Sequence, residues 1–208
     1  MDGLKQNLYE NLSFLKQIDE QKIDKICVQL ECFKQILNEF NQVHNLVRFN
    51  DINTQIIDSL KVLDYSDFFD EFNAFKSTDI VADIGSGAGF PALFLALFSK
   101  ASFYLFEPSI KKAAFLRSVK LALKLENMTI IRQKVQDFKP DFKAKIITSR
   151  ALMRVKNLIE LCKNLQNENT KFIFYKGSEL QNELKEAKNL FKNEQIYENN
   201  LRKYCILN

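Results

Sequence analysis

Asp83-Ile84-Gly85-Ser86-Gly87-Ala88-Gly89-Phe90-Pro91 is the stretch on which the fold turns. It follows a short apolar, β-branched run, Ile80-Val81-Ala82-Asp83-Ile84, and opens a stretch of helical character from Pro91 to Phe98. Strand, glycine turn and helix in that order begin a βαβ unit. The 208-residue chain has only 5 Gly, so three of them inside one loop are conspicuous. Glycines there let the backbone turn tightly and approach a ligand, because no Cβ stands in the way.

Outward from the loop, strands and helices alternate. Ser102–Glu107, Met128–Ile131, Ala144–Thr148 and Lys171–Tyr175 read as further buried strands. Helices are predicted from Ser109, as N-cap, to about Leu125, from Val155 to Leu165, and over 178–190. A strand pair near 194–198 and 202–207 closes the chain. This pattern predicts an α/β fold with a doubly wound, mainly parallel sheet of seven strands and one antiparallel insertion at its edge. Residues 1–77 have a different character. Ile23, Ile26, Cys27, Leu30, Phe33, Leu37 and Phe40 recur at helical spacing behind the N-cap Asp19, in a helix reaching about Val47. Flanking helices are expected over about Leu4–Lys16 and Asn53–Leu63. The expected organisation is an N-terminal helical extension over 1–77 packed on a main domain over 78–208.

Composition excludes several classes. Hydrophobic residues are 46% and charged residues 27%, with 3 Pro, 19 Phe and no Trp, which is globular and neither collagen-like nor Pro-rich. A chain of this size buries roughly 70% of its unfolded surface. No run approaches the ~20 apolar residues of a membrane span. The opening Met1-Asp2-Gly3-Leu4-Lys5 lacks the basic and apolar regions of a secretion signal. Cys27, Cys32, Cys162 and Cys205 form no C-x-x-C pair, and His44 is the only histidine, so no metal site is expected. The cysteines read as reduced, mostly buried thiols of a cytosolic protein, and His44 as a helix-face residue.

The ligand follows from where the acids stand. The dinucleotide fingerprint G-x-G-x-x-G seats a pyrophosphate on a helix N-terminus. Here the spacing is G-x-G-x-G, Phe90 occupies the place of the third fingerprint glycine, and Asp83 stands just before the loop. A carboxylate there repels pyrophosphate and suits an ammonium group. Glu107 ends the next strand, where a carboxylate accepts ribose hydroxyls. Ammonium on one acid and ribose on another, with no phosphate between them, describes S-adenosylmethionine better than NAD.

Methyl transfer from a sulfonium needs mainly in-line positioning. Transfer to pyrimidine C5 would need a thiolate nucleophile, and neither Cys162 nor Cys205 is well placed. Exocyclic amines are usually served by an Asn/Asp-Pro-Pro-aromatic loop after the fourth strand, where this chain reads Thr148-Ser149-Arg150-Ala151. Ring nitrogens such as guanine N7, and ribose hydroxyls, remain open. The net charge is +4, but residues 1–77 hold 8 Lys+Arg against 13 Asp+Glu, and residues 78–208 hold 22 against 13. The basic share thus lies with the loop, where a polyanion would come. Arg117, Lys120 and Lys124 share a helix face, Lys111 and Lys112 start that helix, and Arg154 follows the fourth strand; these are the candidate RNA contacts. Arg150 falls at the strand end where open α/β sheets bind ligands.

Together these motifs resemble the small-subunit ribosomal RNA guanine-N7 methyltransferases, the glucose-inhibited division protein B family. The resemblance covers roughly Asn41 to Gly177. It rests on Asn41…Asn45-Leu46, Asp58-Ser59-Leu60, the Asp83–Pro91 loop, Lys111-Lys112…Phe115-Leu116, Ser149-Arg150-Ala151 and Lys176-Gly177. It implies a Rossmann-like class I S-adenosylmethionine-dependent fold and methylation of guanine N7 in 16S rRNA or the small subunit. A monomer without metal is expected. By position, Asp83, Gly85, Gly87, Gly89, Phe90 and Glu107 would hold the cofactor, with Gly85 and Phe90 on its methionine side. Val135 and Gln136 would flank the adenine. Arg150 would contact cofactor or substrate, and Lys176 would face the RNA or product. Gln55 stands where the family often has His, Val47 where it has Thr, and Gln136 where it has an acid. Two other readings are a non-catalytic RNA-binding or assembly protein on this fold, and an NAD-dependent enzyme.

Overall fold

The computed structural model describes residues 2–49, 51–65, 68–199 and 202–208; Met1 of the leader reading lies outside them. Four helices come first: α1 (Asp2–Asn11), α2 (Glu20–His44), α3 (Ile52–Leu60) and α4 (Phe68–Asn73). Then follow β1 (Ile80–Ile84), α5 (Ala92–Ala96), β2 (Ser102–Phe106), α6 (Ile110–Leu123), β3 (Met128–Ile131), β4 (Ile146–Arg150), α7 (Val155–Leu161), β5 (Lys171–Lys176), α8 (Leu180–Ala187), β6 (Glu194–Glu198) and β7 (Lys203–Leu207). The sheet order is β3-β2-β1-β4-β5-β7-β6. β1 to β5 are parallel, and β7 runs antiparallel to both β5 and β6. The inserted strand is therefore the next to last, and β6 forms the edge.

Local chemistry sets the element ends. Asp19 accepts the Lys22 N–H and starts α2, and Ser109 accepts the Lys112 N–H and starts α6. α2 stops at His44 rather than near Val47, because Asn45 turns left-handed at φ 49° and its N–H bonds the Asn41 carbonyl. Asn41 then accepts the Val47 N–H at 2.9 Å, so the Asn41…Asn45 motif builds a helix exit. The expected first helix breaks at Leu12, which is extended (φ −127°), and a short 3-10 turn over Ser13–Gln17 sends Phe14 and Leu15 into the core. α4 has no counterpart in the sequence reading; its Phe68, Phe69 and Phe72 are buried.

One hydrophobic cluster runs from Leu4 and Leu8 through Phe33 to Val81, Phe103 and Ile206, so the N-terminal helices and the sheet share a core. Phe33 of α2 lies edge-on to Phe90, Phe94 and Phe115, with centroids 5.8, 5.0 and 6.0 Å away. A second cluster under α7 and α8 covers the other face. Cys27, Cys162 and Cys205 are buried, Cys32 is half-buried, and all four are free thiols. Among the described residues, no helix is long and apolar enough to cross a membrane.

Candidate functional site

The glycine loop leaves the C-terminal end of β1 with all three glycines at positive φ: 72° at Gly85, 56° at Gly87 and 92° at Gly89. A Cβ on Gly89 would meet the Leu93 Cβ at 2.9 Å, so that position needs glycine on space as well as on backbone. The loop is pinned to β2, because the Gly85 and Ser86 N–H groups both donate to the Phe106 carbonyl.

Two carboxylates frame this loop. Glu107 is 6% exposed; its Oε2 accepts the Gly87 N–H and its Oε1 the Ser109 N–H, each at 2.8 Å. It thus ties the loop to the start of α6, and each oxygen keeps a second lone pair for a ribose hydroxyl. Asp83 is 1% exposed. Register sets Asp83 of β1 beside Thr148 of β4, whose hydroxyl donates to Asp83 Oδ1 at 2.7 Å. Asp83 Oδ2 is buried and has no partner. Burial raises the carboxyl to a pKa of about 7, against the pull of the Thr148 hydroxyl. A buried carboxylate with one unpartnered oxygen keeps an acceptor to which a cation could bind.

Beside the loop lies a cavity of about 300 Å³ walled by Ile84, Phe106, Pro108, Val135, Leu152 and Leu161 together with Gly85 and Gln136. Its size and apolar walls suit a nucleobase with its sugar. Val135 and Gln136 therefore line the cavity, in the 3-10 turn after β3. The sequence reading missed Pro108, Leu152 and Met153, which also line it. The available signal was their place just beyond the C-terminal ends of β2 and β4.

Arg150 is the last residue of β4, not a loop residue, because the strand begins two residues later than read. Its side chain, 12% exposed, points to α3: Nη1 lies 3.4 Å from Asp58 Oδ2, and Nη2 donates to Gln55 Oε1. The guanidinium sits 5.4 Å over the Phe90 ring. Nη1 has no hydrogen-bond acceptor. Burial, with Arg202 nearby, lowers the Arg150 pKa. Asp58 also accepts from Arg202 at 2.7 Å and from the Tyr204 hydroxyl at 2.8 Å. The Tyr175 hydroxyl donates to the Ser59 carbonyl at 2.6 Å. The Asp58-Ser59 pair is thus the joint between α3 and the sheet. Phe90 faces the N-terminal helices, against Phe33, Phe49 and Phe94.

Other expected residues fall elsewhere. Lys176 does not face solvent: it is 7% exposed, donates to the Met153 carbonyl, and pairs with Glu183 of α8 at 2.7 Å. Arg154 pairs with Glu186 at 2.7 Å on the surface. Lys111 and Lys112 stand in the first turn of α6, Arg117 and Lys120 follow along it, and Lys124 leaves the helix as its left-handed C-cap at φ 54°.

Comparison with known proteins agrees with this geometry. A family model described as GidB, rRNA small subunit methyltransferase G, matches residues 26–205. A protein of Campylobacter jejuni named Ribosomal RNA small subunit methyltransferase G is 48% identical over 96% of this chain and 99% of its own length. Among solved structures, a ribosomal protein L11 methylase from Lactobacillus delbrueckii aligns with a TM-score of 0.59 at 15% identity, covering 77% of this chain and 80% of that one. A T. thermophilus 16S rRNA N2 methyltransferase, in complex with AdoMet and guanosine, aligns with a TM-score of 0.60 at 15% identity, covering 76% and 43%. These two likenesses show the class I methyltransferase fold. The sequence matches show the family: the chain belongs to the GidB, or rRNA small subunit methyltransferase G, family.

Proposed function

We propose that this chain transfers the methyl group of S-adenosylmethionine to N7 of a guanine in 16S ribosomal RNA. The observation that carries the reading is family membership over residues 26–205, joined to a loop flanked by one open buried carboxylate oxygen. Asp83 would hold the ammonium, Glu107 the ribose, and the cavity with Val135 and Gln136 the adenine. When bound, S-adenosylmethionine supplies a methyl group already activated on a sulfonium. Guanine N7 carries a free lone pair, so no general base is required. That agrees with Arg150, the cation beside the loop, being held by Asp58. The chain's task is then orientation: Glu107 fixes the loop, and Arg150, held over the Phe90 ring by Asp58 and Gln55, braces the loop against α3.

We also propose a division into an extension over 1–77 and a methyltransferase unit over 78–208, acting as a monomer without metal in the cytoplasm. Incubation with methyl-labelled S-adenosylmethionine and small-subunit rRNA from a strain lacking the modification should label one guanine at N7. Label on an amino group or a ribose would overturn the reading.

A further inference from the structure

At the end of the sheet opposite the glycine loop, where β1, β2 and β3 begin, lies an open groove of about 1100 Å³. Its walls carry Lys22 and Lys25 from α2, Lys76 from the turn before β1, Lys100 from the turn before β2, and Lys124 from the turn before β3. Among the described residues, Glu126 is the only acid in its wall. All five lysines are exposed, and among the described residues none has an ion pair or a side-chain hydrogen bond. They do not serve the helix ends that meet here. The Ala96 carbonyl of α5 accepts from Asn127 at 3.2 Å, and the Leu123 carbonyl of α6 accepts from Gln29 at 2.7 Å. Asp79, the nearest acid before β1, is engaged by Lys145 at 3.2 Å. Partial desolvation of its ammonium, and then the charge of Lys100, lowers the Lys22 pKa, so these two ammonium groups repel each other across the groove.

Five like charges from four separate chain segments, converging with one acid among them, form a site complementary to an extended polyanion. We propose that this groove is a second anchoring site for the phosphodiester backbone of the RNA substrate, remote from the cofactor loop. The proposal rests on the rRNA reading above. The groove and the loop are joined by α6, whose 14 residues span about 21 Å. Lys112, Arg117 and Lys120 lie along that path, also without ion pairs among the described residues. One RNA strand bridging both ends needs about six nucleotides at roughly 3.4 Å each. Three of the five lysines belong to the acidic N-terminal part, which therefore contributes to RNA contact despite its net charge.

The test uses the wild-type full chain first. Lysine acetylation footprinting, with and without a 16S rRNA fragment, should protect Lys22, Lys100 and Lys124. Protection confined to Lys111 and Lys112 would overturn the groove. A variant carrying Lys22→Ala, Lys25→Ala, Lys76→Ala and Lys100→Ala should bind the fragment about tenfold more weakly. Its log–log salt slope should be shallower by about 3, since four phosphate contacts are lost and each one to a single strand contributes roughly 0.7. S-adenosylhomocysteine affinity should be unchanged. Arginine at the same four positions should restore RNA binding. Unchanged affinity and slope in the alanine variant would overturn the proposal. Wild-type methyl transfer to rRNA, assayed in parallel, separates the two readings. Methylation without groove protection removes the groove alone, and protection without methylation removes the proposed reaction alone.

Discussion

Asp83 has one oxygen held by Thr148 and the other open, with its pKa raised by burial from 3.8 to about 7. The unfolded chain therefore loses this proton first. Without cofactor, the folded state is destabilised as pH rises from about 4 to about 7, and an ammonium on Oδ2 removes that penalty. Thermal melts over this range should show a cofactor-induced rise in Tm that is larger at pH 7 than at pH 5. Asp83→Asn should weaken cofactor binding at least tenfold and flatten the pH dependence; a cofactor affinity equal to wild type would exclude the ammonium role. Glu107→Gln should raise the cofactor Kd roughly 10- to 100-fold by isothermal calorimetry, since hydrogen bonds to a charged group contribute about 1.5–3 kcal/mol. The place of both residues beside the loop was legible in sequence because it is set locally: an acid beside a glycine turn, and an acid ending the next strand. Lys176 was not, because its partner Glu183 depends on how α8 packs on β5.

At the scale of elements, α3 is held to the sheet through Asp58, which is 1% exposed and faces Arg150, Arg202 and Tyr204. Asp58→Ala would leave two partly buried guanidinium groups without their counter-charge, a loss of about 3–5 kcal/mol by urea denaturation. A loss under 1 kcal/mol would mean that Arg150 and Arg202 reach solvent when freed. The strands were readable from apolar β-branched runs between turn residues, and all seven fall within two residues of their expected starts. The α3 joint was not readable. Its partners lie 92 to 146 residues along the chain, and spacing carries no record of such contacts. The helix ends at Asn45 and Leu12 were missed for a similar reason. Periodicity continues past both, and only the backbone at those residues breaks it.

At the scale of the molecule, Phe33 links the N-terminal helices to the loop-bearing face of the sheet through Phe90. Phe33→Ala should cost about 3–5 kcal/mol, and the transitions followed by far-UV circular dichroism and by tyrosine fluorescence should coincide. Separate transitions would show that 1–77 and 78–208 unfold independently, against the continuous cluster. An acidic N-terminal part and a basic remainder were visible in the sequence, but Lys22 and Lys25 of the acidic part join the groove only through the packing of α2 on α6. The burial of the cysteines has a practical consequence. Burial raises the thiol pKa at Cys27, and to about 12 at both Cys162 and Cys205, so none of these three presents a thiolate to an alkylating reagent at neutral pH. Cys32, half-buried on α2, is the remaining thiol. The native protein is thus expected to take up one maleimide while the denatured chain takes up four. The wild-type sequence then provides a single attachment point for a fluorophore or a surface tether.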